Sequence, residues 1–311
     1  MSTIKKYLSL VKFSHTIFAM PFALIGFFLG MKVFHSDLLA NINFWKSNRA
    51  YGWHTTLYPQ WYLPIKFFLV LLCMVFARSA AMAFNRWLDA KYDALNPRTA
   101  IREIPAGIIK SQHALLFTVV CSLLFVGCCY FINAACFYLS PVALFVILFY
   151  SYTKRFTALC HLVLGVGLSL APIGAYIAVT GQFNLLPILF SFTVLFWVSG
   201  FDIIYALQDV DFDRTQQLHS IPAAMGKEMG LRISEMLHVL SAAAVIYAGI
   251  YGHFGWLYWI GVGVFVGMLL YQHSIVKPTD LRKVNIAFMT ANGIASVVFS
   301  AFVLLDIFLA R

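Results

Sequence analysis

The chain has 311 residues, 61% of them hydrophobic and 11% charged, with a mean hydropathy of +0.83. A water-soluble domain carries about a quarter charged residues, so this composition excludes an ordinary soluble globule and points to a lipid bilayer. The net charge of +10 comes without a Lys/Arg-rich tract interleaved with aromatics, and a nucleic-acid partner is not expected.

Lys5, Lys6 and Lys12 precede the first apolar run in the manner of a signal peptide. No small-residue cleavage site follows, and His15 and Pro21 interrupt the run, so a retained first span is expected. Runs of about 20 mostly apolar residues then predict nine spans, at 13–34, 61–88, 111–132, 134–151, 156–180, 184–208, 231–251, 254–274 and 284–308. Between the first two lies a long connection, 35–60, rich in the Trp and Tyr that favour a membrane interface. Nine spans put the termini on opposite sides. With the N-terminus cytoplasmic, 16 Lys and Arg fall on that side, five on the other, and Arg78 lies inside a span. The asymmetry predicts an N-in, C-out topology. The cysteines at 73, 121, 128, 129, 136 and 160 lie in or beside spans without a C-x-x-C pair, and are expected to pack as small hydrophobes.

Spans 2 and 6 both run into acidic clusters on the expected cytoplasmic side. In "FNRWLDAKYD" (84–93), Asn85, Asp89 and Asp93 are four residues apart, hence on one helical face. In "FDIIYALQDVDFDRT" (201–215), Tyr205, Asp209 and Asp213 repeat that spacing 120 residues later, as in an internal pseudo-repeat. Six of the nine aspartates (89, 93, 202, 209, 211 and 213) fall in these two windows. A single acidic pair at a helix end reads as loop solvation; two in matching register on one face call for a ligand. Carboxylates are hard ligands suited to Mg²⁺ beside phosphate oxygens, and two or three such ions between the clusters would make a diphosphate a competent leaving group.

Basic residues complete the expected pocket. "YSYTKRFT" places Lys154 and Arg155 in the loop between spans 4 and 5, and "NPRTAIREIPAG" places Arg98 and Arg102 just past the first cluster. Arg matches phosphate as a fork and Lys as a point charge, although cytoplasmic loops are basic in any case. Asp202 lies two turns deeper than Asp209 on the same face, where a carboxylate faces a cavity or a partner. Arg78 is a comparable intramembrane charge that an interhelical ion pair explains equally well. The rival reading is a divalent-cation transporter with the aspartates as permeation site, but its pathway would need polar groups through the midplane.

With "NRWLDAKYD", "DVDFD", "FDIIYALQD" and "YSYTKR" the chain resembles the UbiA family of intramembrane aromatic prenyltransferases. "KFSHTIFAMPFAL", "NPRTAIREIPAG" and "LHSIPAAMG" add to the resemblance, which covers residues 12–226. One departure is Arg86, which stands where the family pattern has a second acid; it is left to meet the diphosphate or an acceptor carboxylate.

The resemblance implies nine helices around a central cavity opening to the cytoplasm, in one transmembrane domain over 1–311 of the cell (inner) membrane. Lids at about 89–110 and 209–230 would cover the site, with Gly107 and Gly226 as hinges and His219 as a candidate base. It implies Mg²⁺-dependent transfer of a polyprenyl group from polyprenyl diphosphate to a hydroxylated aromatic acid, 4-hydroxybenzoate-like or naphthoate, in quinone biosynthesis. The expected catalytic residues are Asp202, Tyr205, Lys154 and Arg155. Asn85, Arg86, Arg98, Arg102 and Lys154 would bind the prenyl diphosphate, and Asn85, Asp89, Asp93, Asp209 and Asp213 the metal.

Overall fold

A computed structural model describes residues 3–11, 18–47 and 62–309. The described residues are helical throughout, without a β-sheet. Lys12, His15, Arg49, Arg311 and the segment 48–60 lie outside them.

A short helix α1 (Thr3–Leu10) is followed by α2 (Met20–Ser47), α3 (Tyr62–Leu88), α4 (Ala90–Leu95), α5 (Ser111–Ile132), α6 (Ala134–Thr153), α7 (Cys160–Thr180) and α8 (Leu185–Ala206). After a 3₁₀ turn, Leu207–Asp209, come α9 (Val210–Thr215), α10 (Ile221–Met225), α11 (Lys227–Tyr251), α12 (Trp256–Ile275), a π-turn Ile286–Ala291 and α13 (Asn292–Leu309). Eight segments among the described residues are long and apolar enough to cross a bilayer, from Leu63–Leu88 to Ile286–Leu309. Met20–His35, within the first expected span, is a shorter apolar helix. The chain is a multi-pass membrane protein.

The expected connection 35–60 starts too early, because α2 runs on to Ser47. No Gly or Pro stands between Lys32 and Ser47 to end it. The other helices stop where capping chemistry dictates. Asn133 caps α6 by accepting from the Cys136 N–H at 2.8 Å, and Asn184 caps α8 by accepting from Leu186 N–H at 3.1 Å. On α7, the last turn ends at Gly181, in the left-handed conformation.

The helices pack as α3 on α5, α7 on α2 and α8, α8 on α11, and α12 on α13. The main core lies among α2, α7, α8, α11, α12 and α13, around the buried rings of Phe22, Trp197, Tyr258, Phe265 and Phe299. Outward faces are as apolar as the core: Phe131, Tyr138, Phe145 and Leu123 are all exposed. Water would penalise such a surface, whereas lipid does not. With hydrocarbon outside, packing and buried polar contacts hold the helices together. Ser234 and Ser241 of α11 donate to the Gly200 and Thr193 carbonyls of α8, at 2.7 and 2.8 Å.

Small residues set one approach that matters for the site. A Cβ on Gly165 of α7 would stand 2.5 Å from the Leu195 carbonyl oxygen and 2.3 Å from Ser199 Oγ. Glycine alone lets α7 and α8 meet at this distance, one turn from His161 and Asp202. The six cysteines are free thiols, and four of them are buried.

Candidate active site

Both acidic clusters are built on the same local structure. Asp89 directly follows the long helix α3, Asp209 closes the 3₁₀ turn that ends α8, and each aspartate leads directly into a six-residue helix, α4 or α9. Asp89 has φ −93°, ψ 6° and Asp209 has φ −106°, ψ 5°. Both lie in the bridge region between helix and turn, common at active sites. The break does not spoil the expected register: Asp89 N–H still bonds the Asn85 carbonyl (2.9 Å) and Asp93 N–H that of Asp89 (2.8 Å). Neither carboxylate caps its short helix, so each is free for other partners.

Asn85, Arg86, Asp89, Asp93, Arg98, Arg102, Lys154, Arg155, Asp202, Tyr205, Asp209 and Asp213 all line one cavity of about 620 Å³ at one end of the bundle. Ion pairs knit its walls together. Arg98 grips Asp209 with two nitrogens, Nε reaching Oδ1 at 3.1 Å, and donates to the Tyr205 hydroxyl at 2.8 Å. Asn96 also donates to Asp209, at 3.3 Å. Arg102 meets Asp93 at 2.6 Å, while Arg86, on α3, stands 3.9 Å from the other Asp93 oxygen. The neighbours Lys154 and Arg155 reach opposite clusters, Asp213 at 2.8 Å and Asp89 at 3.0 Å. Asn85 donates to Asp89 at 3.0 Å. Burial pushes the Asp89 carboxyl up to about 6, against the pull of Arg155 beside it. At Lys154, burial disfavours the ammonium, but Asp213 outweighs it and holds the pKa above its ordinary value.

Among the described residues, no three His, Cys, Asp or Glu side chains already form a metal cage. The donor chemistry nevertheless fits a hard divalent cation: four carboxylates and the Asn85 amide share the cavity wall. Asp93 Oδ2, buried, accepts no hydrogen bond. Each carboxylate is held by a cationic side chain.

Several contributors were given no role by the sequence, although Asn96, Phe18 and Phe201 lie within quoted motifs. His161, at the start of α7, bonds Asp202 Oδ2 through Nδ1 at 2.6 Å. Asn96 sits in the loop after α4. Phe288 lies on the π-turn and packs on Tyr205 with centroids 4.3 Å apart. With Phe18 and Phe201, whose rings stand 5.4 Å from it and from each other, it gives the cavity an aromatic wall. The proximity of His161 to a deep aspartate was the one available cue, and it needs the packing of α7 on α8 to be seen.

Of the two readings open for His219, a base or a hydrogen-bonded loop residue, the structure favours the second: its side chain is exposed and does not line the cavity. Its backbone matters instead, since His219 N–H donates to the Lys154 carbonyl at 2.7 Å. Next to it Ser220 donates to Asp213 at 3.0 Å and caps α10. Gly107 and Gly226 both have positive φ, +70° and +88°, which other residues rarely adopt.

A second, apolar cavity of about 420 Å³ adjoins the polar one among α3, α5, α6 and α7. Arg78, Met82, Tyr150, Leu164 and Leu168 line both. Leu139 and Val142, on the wall of the apolar cavity, are exposed.

The model of the UbiA prenyltransferase family matches residues 50–294. The chain belongs to the UbiA prenyltransferase family. It is 30% identical over 234 residues to the 4-hydroxybenzoate octaprenyltransferase of Tolumonas auensis, covering 73% of this chain and 79% of that one. The enzyme of the same name from Aliivibrio fischeri is 30% identical over 246 residues, with 78% and 83% covered. Among solved structures, an apo UbiA homolog from Aeropyrum pernix superposes with a TM-score of 0.77 at 26% identity, over 94% of this chain and 98% of that one. A UbiA homolog from Archaeoglobus fulgidus bound to DMAPP and Mg²⁺ shares the fold, with a TM-score of 0.70 at 19% identity and 98% and 99% covered.

Proposed function

We propose that this UbiA family member transfers a polyprenyl group from polyprenyl diphosphate to a hydroxylated aromatic acid, 4-hydroxybenzoate-like or naphthoate, in quinone biosynthesis. The observation that carries the reading is the junction of the two cavities. A pocket of acids and bases sized for a diphosphate and a ring adjoins, at Arg78 and Tyr150, an apolar space that suits a prenyl tail. The names of the octaprenyltransferase relatives favour the aromatic acceptor. A cation pathway would instead need polar groups beyond Arg78, where the walls are apolar.

Asn85, Asp89, Asp93, Asp209 and Asp213 would hold Mg²⁺, which supplies charge neutralisation for a departing diphosphate. Lys154, Arg155, Arg86, Arg98 and Arg102 receive the diphosphate oxygens as they leave their carboxylate partners. Phe18, Phe201, Tyr205 and Phe288 present π faces to the allylic carbon as positive charge develops on it. Segments 89–110 and 209–230 close over the site and exclude water. In the cell (inner) membrane the N-terminus and the polar cavity face the cytoplasm and the C-terminus the opposite side, which puts the basic loops inside.

The test uses membranes containing the protein, radiolabelled polyprenyl diphosphate, Mg²⁺ and a panel of aromatic acids. A prenylated acid formed only with Mg²⁺ is expected. Absence of any prenylated acid across the panel, with divalent-cation flux in sealed vesicles, would overturn the reading.

A further inference from the structure

Asp202 and His161 form a pair that the motifs leave unexplained. Asp202 sits on the cavity wall with about a quarter of its side chain exposed (24%), whereas the His161 side chain behind it is 3% exposed. Seven residues of helix place Asp202 about 10 Å deeper than Asp209. The depth suits a group that meets an aromatic ring lying beyond the diphosphate.

The hydrogen bonds around His161 assign its tautomer. The Ile221 N–H, in the first turn of α10, points at Nε2 from 3.4 Å, so Nε2 accepts and carries no proton. Nδ1 then holds the proton and donates it to Asp202 Oδ2 at 2.6 Å. One carboxylate oxygen is thereby fixed, which leaves Oδ1 of this cavity-lining side chain to take a proton from a ligand. Ile221 cannot drift, because the residues before it are pinned: Ser220 to Asp213 and His219 N–H to the Lys154 carbonyl. A single strap, 219–221, therefore couples the diphosphate end of the pocket to His161.

We propose that His161 is a positioning residue for the aromatic acceptor: it holds Asp202 as an oriented carboxylate whose Oδ1 takes the acceptor's hydroxyl proton. The proposal rests on the prenyl-transfer reading. In the step, the ring carbon ortho to the hydroxyl supplies the electron pair for a bond to the allylic carbon, and the allylic C–O bond breaks towards the diphosphate. The hydroxyl proton passes to Asp202, leaving a neutral dienone. Loss of the ring proton to water or diphosphate restores aromaticity as Asp202 returns its proton to the oxygen. The net products are the prenylated phenol, diphosphate and one proton. His161 is too buried to touch the acceptor and acts only through Asp202, as outer-shell partners do in fixing a reactive group.

Steady-state kinetics on wild type, His161→Leu, His161→Asn and Asp202→Asn test it, with binding of a non-reactive prenyl thiodiphosphate measured alongside. An asparagine amide can occupy the place of Nδ1 and donate to Asp202; leucine fills the space without a donor. The expected result is a loss of kcat of at least about tenfold in His161→Leu and Asp202→Asn, as for removal of an outer-shell partner. His161→Asn recovers most of the loss, and thiodiphosphate affinity stays within about twofold in all three. A normal kcat in His161→Leu, or His161→Asn no better than His161→Leu, overturns the proposal. Should the His161 variants fail to fold, a normal kcat in Asp202→Asn overturns it. Wild-type protein that binds the thiodiphosphate but prenylates no acceptor contradicts the prenyl-transfer reading itself.

Discussion

Asp89 and Asp209 end their helices in the same conformation, each followed by a second aspartate inside a six-residue helix. Each carboxylate is matched to its own cation, so a substitution at one position has a specific partner to disturb. Asp89→Asn and Asp209→Asn are expected to lower turnover by at least about 100-fold, since loss of a metal ligand removes several kcal/mol of transition-state stabilisation and 1.4 kcal/mol is tenfold. Both variants should purify as folded protein, checked by size-exclusion profile beside the rate. Lys154→Ala removes a charge-assisted contact of about 1.5–3 kcal/mol and should raise KM for the prenyl diphosphate about 10- to 100-fold with a smaller change in kcat, read from initial rates. An unchanged dependence on that substrate would rule the contact out. Spacing made these residues legible, because a four-residue repeat survives a helix break when the i to i−4 bonds persist across it. The roles of His161, Asn96 and Phe288 were not legible: their partners lie 41, 113 and 83 positions away in the chain, and only Asn96 falls in a quoted motif.

The helices place these groups through a few close approaches. Gly165 lets α7 reach α8 and so sets the distance from His161 to Asp202. Gly165→Val should cost about 1–3 kcal/mol by overpacking, seen as a shorter half-life of the detergent-solubilised protein on heating. The π-turn 286–291 has a comparable role for α13. Asn292 donates to the Ala287 and Phe288 carbonyls at 3.1 and 3.0 Å and accepts from Trp197 and Gln272 at 2.7 and 2.9 Å. It thus holds open the turn that carries Phe288 to the cavity, as π-bulges at functional sites do. Asn292→Leu leaves two buried donors without an acceptor, each worth about 1–3 kcal/mol. The same heating assay should show a larger loss than Gly165→Val. Hydropathy located the long helices to within a few residues because lipid rewards an unbroken apolar run. It missed the π-turn, which depends on backbone hydrogen bonding, and the continuation of α2 to Ser47, where polar residues end the apolar run but no Gly or Pro ends the helix.

Across the whole molecule, a bundle with lipid-like outer faces carries its charges inward at one end and gives way to an apolar cavity beyond them. The architecture sets a cavity of charged side chains beside an apolar one, and Leu139 and Val142 on the wall of the apolar cavity are exposed. Composition and the two acidic windows were sufficient to expect a membrane bundle with its acids gathered at one end. The apolar cavity beside them was not readable, because it arises where α3, α5, α6 and α7 meet. The central claim is that both aspartate clusters together capture a prenyl diphosphate through a divalent cation. It is tested most directly by calorimetric binding of a prenyl thiodiphosphate to the purified protein, with Mg²⁺ and with EDTA, in wild type, Asp89→Asn and Asp209→Asn. Tight binding that needs Mg²⁺ and is lost in either variant is the predicted result; binding that ignores EDTA and both substitutions would contradict the account.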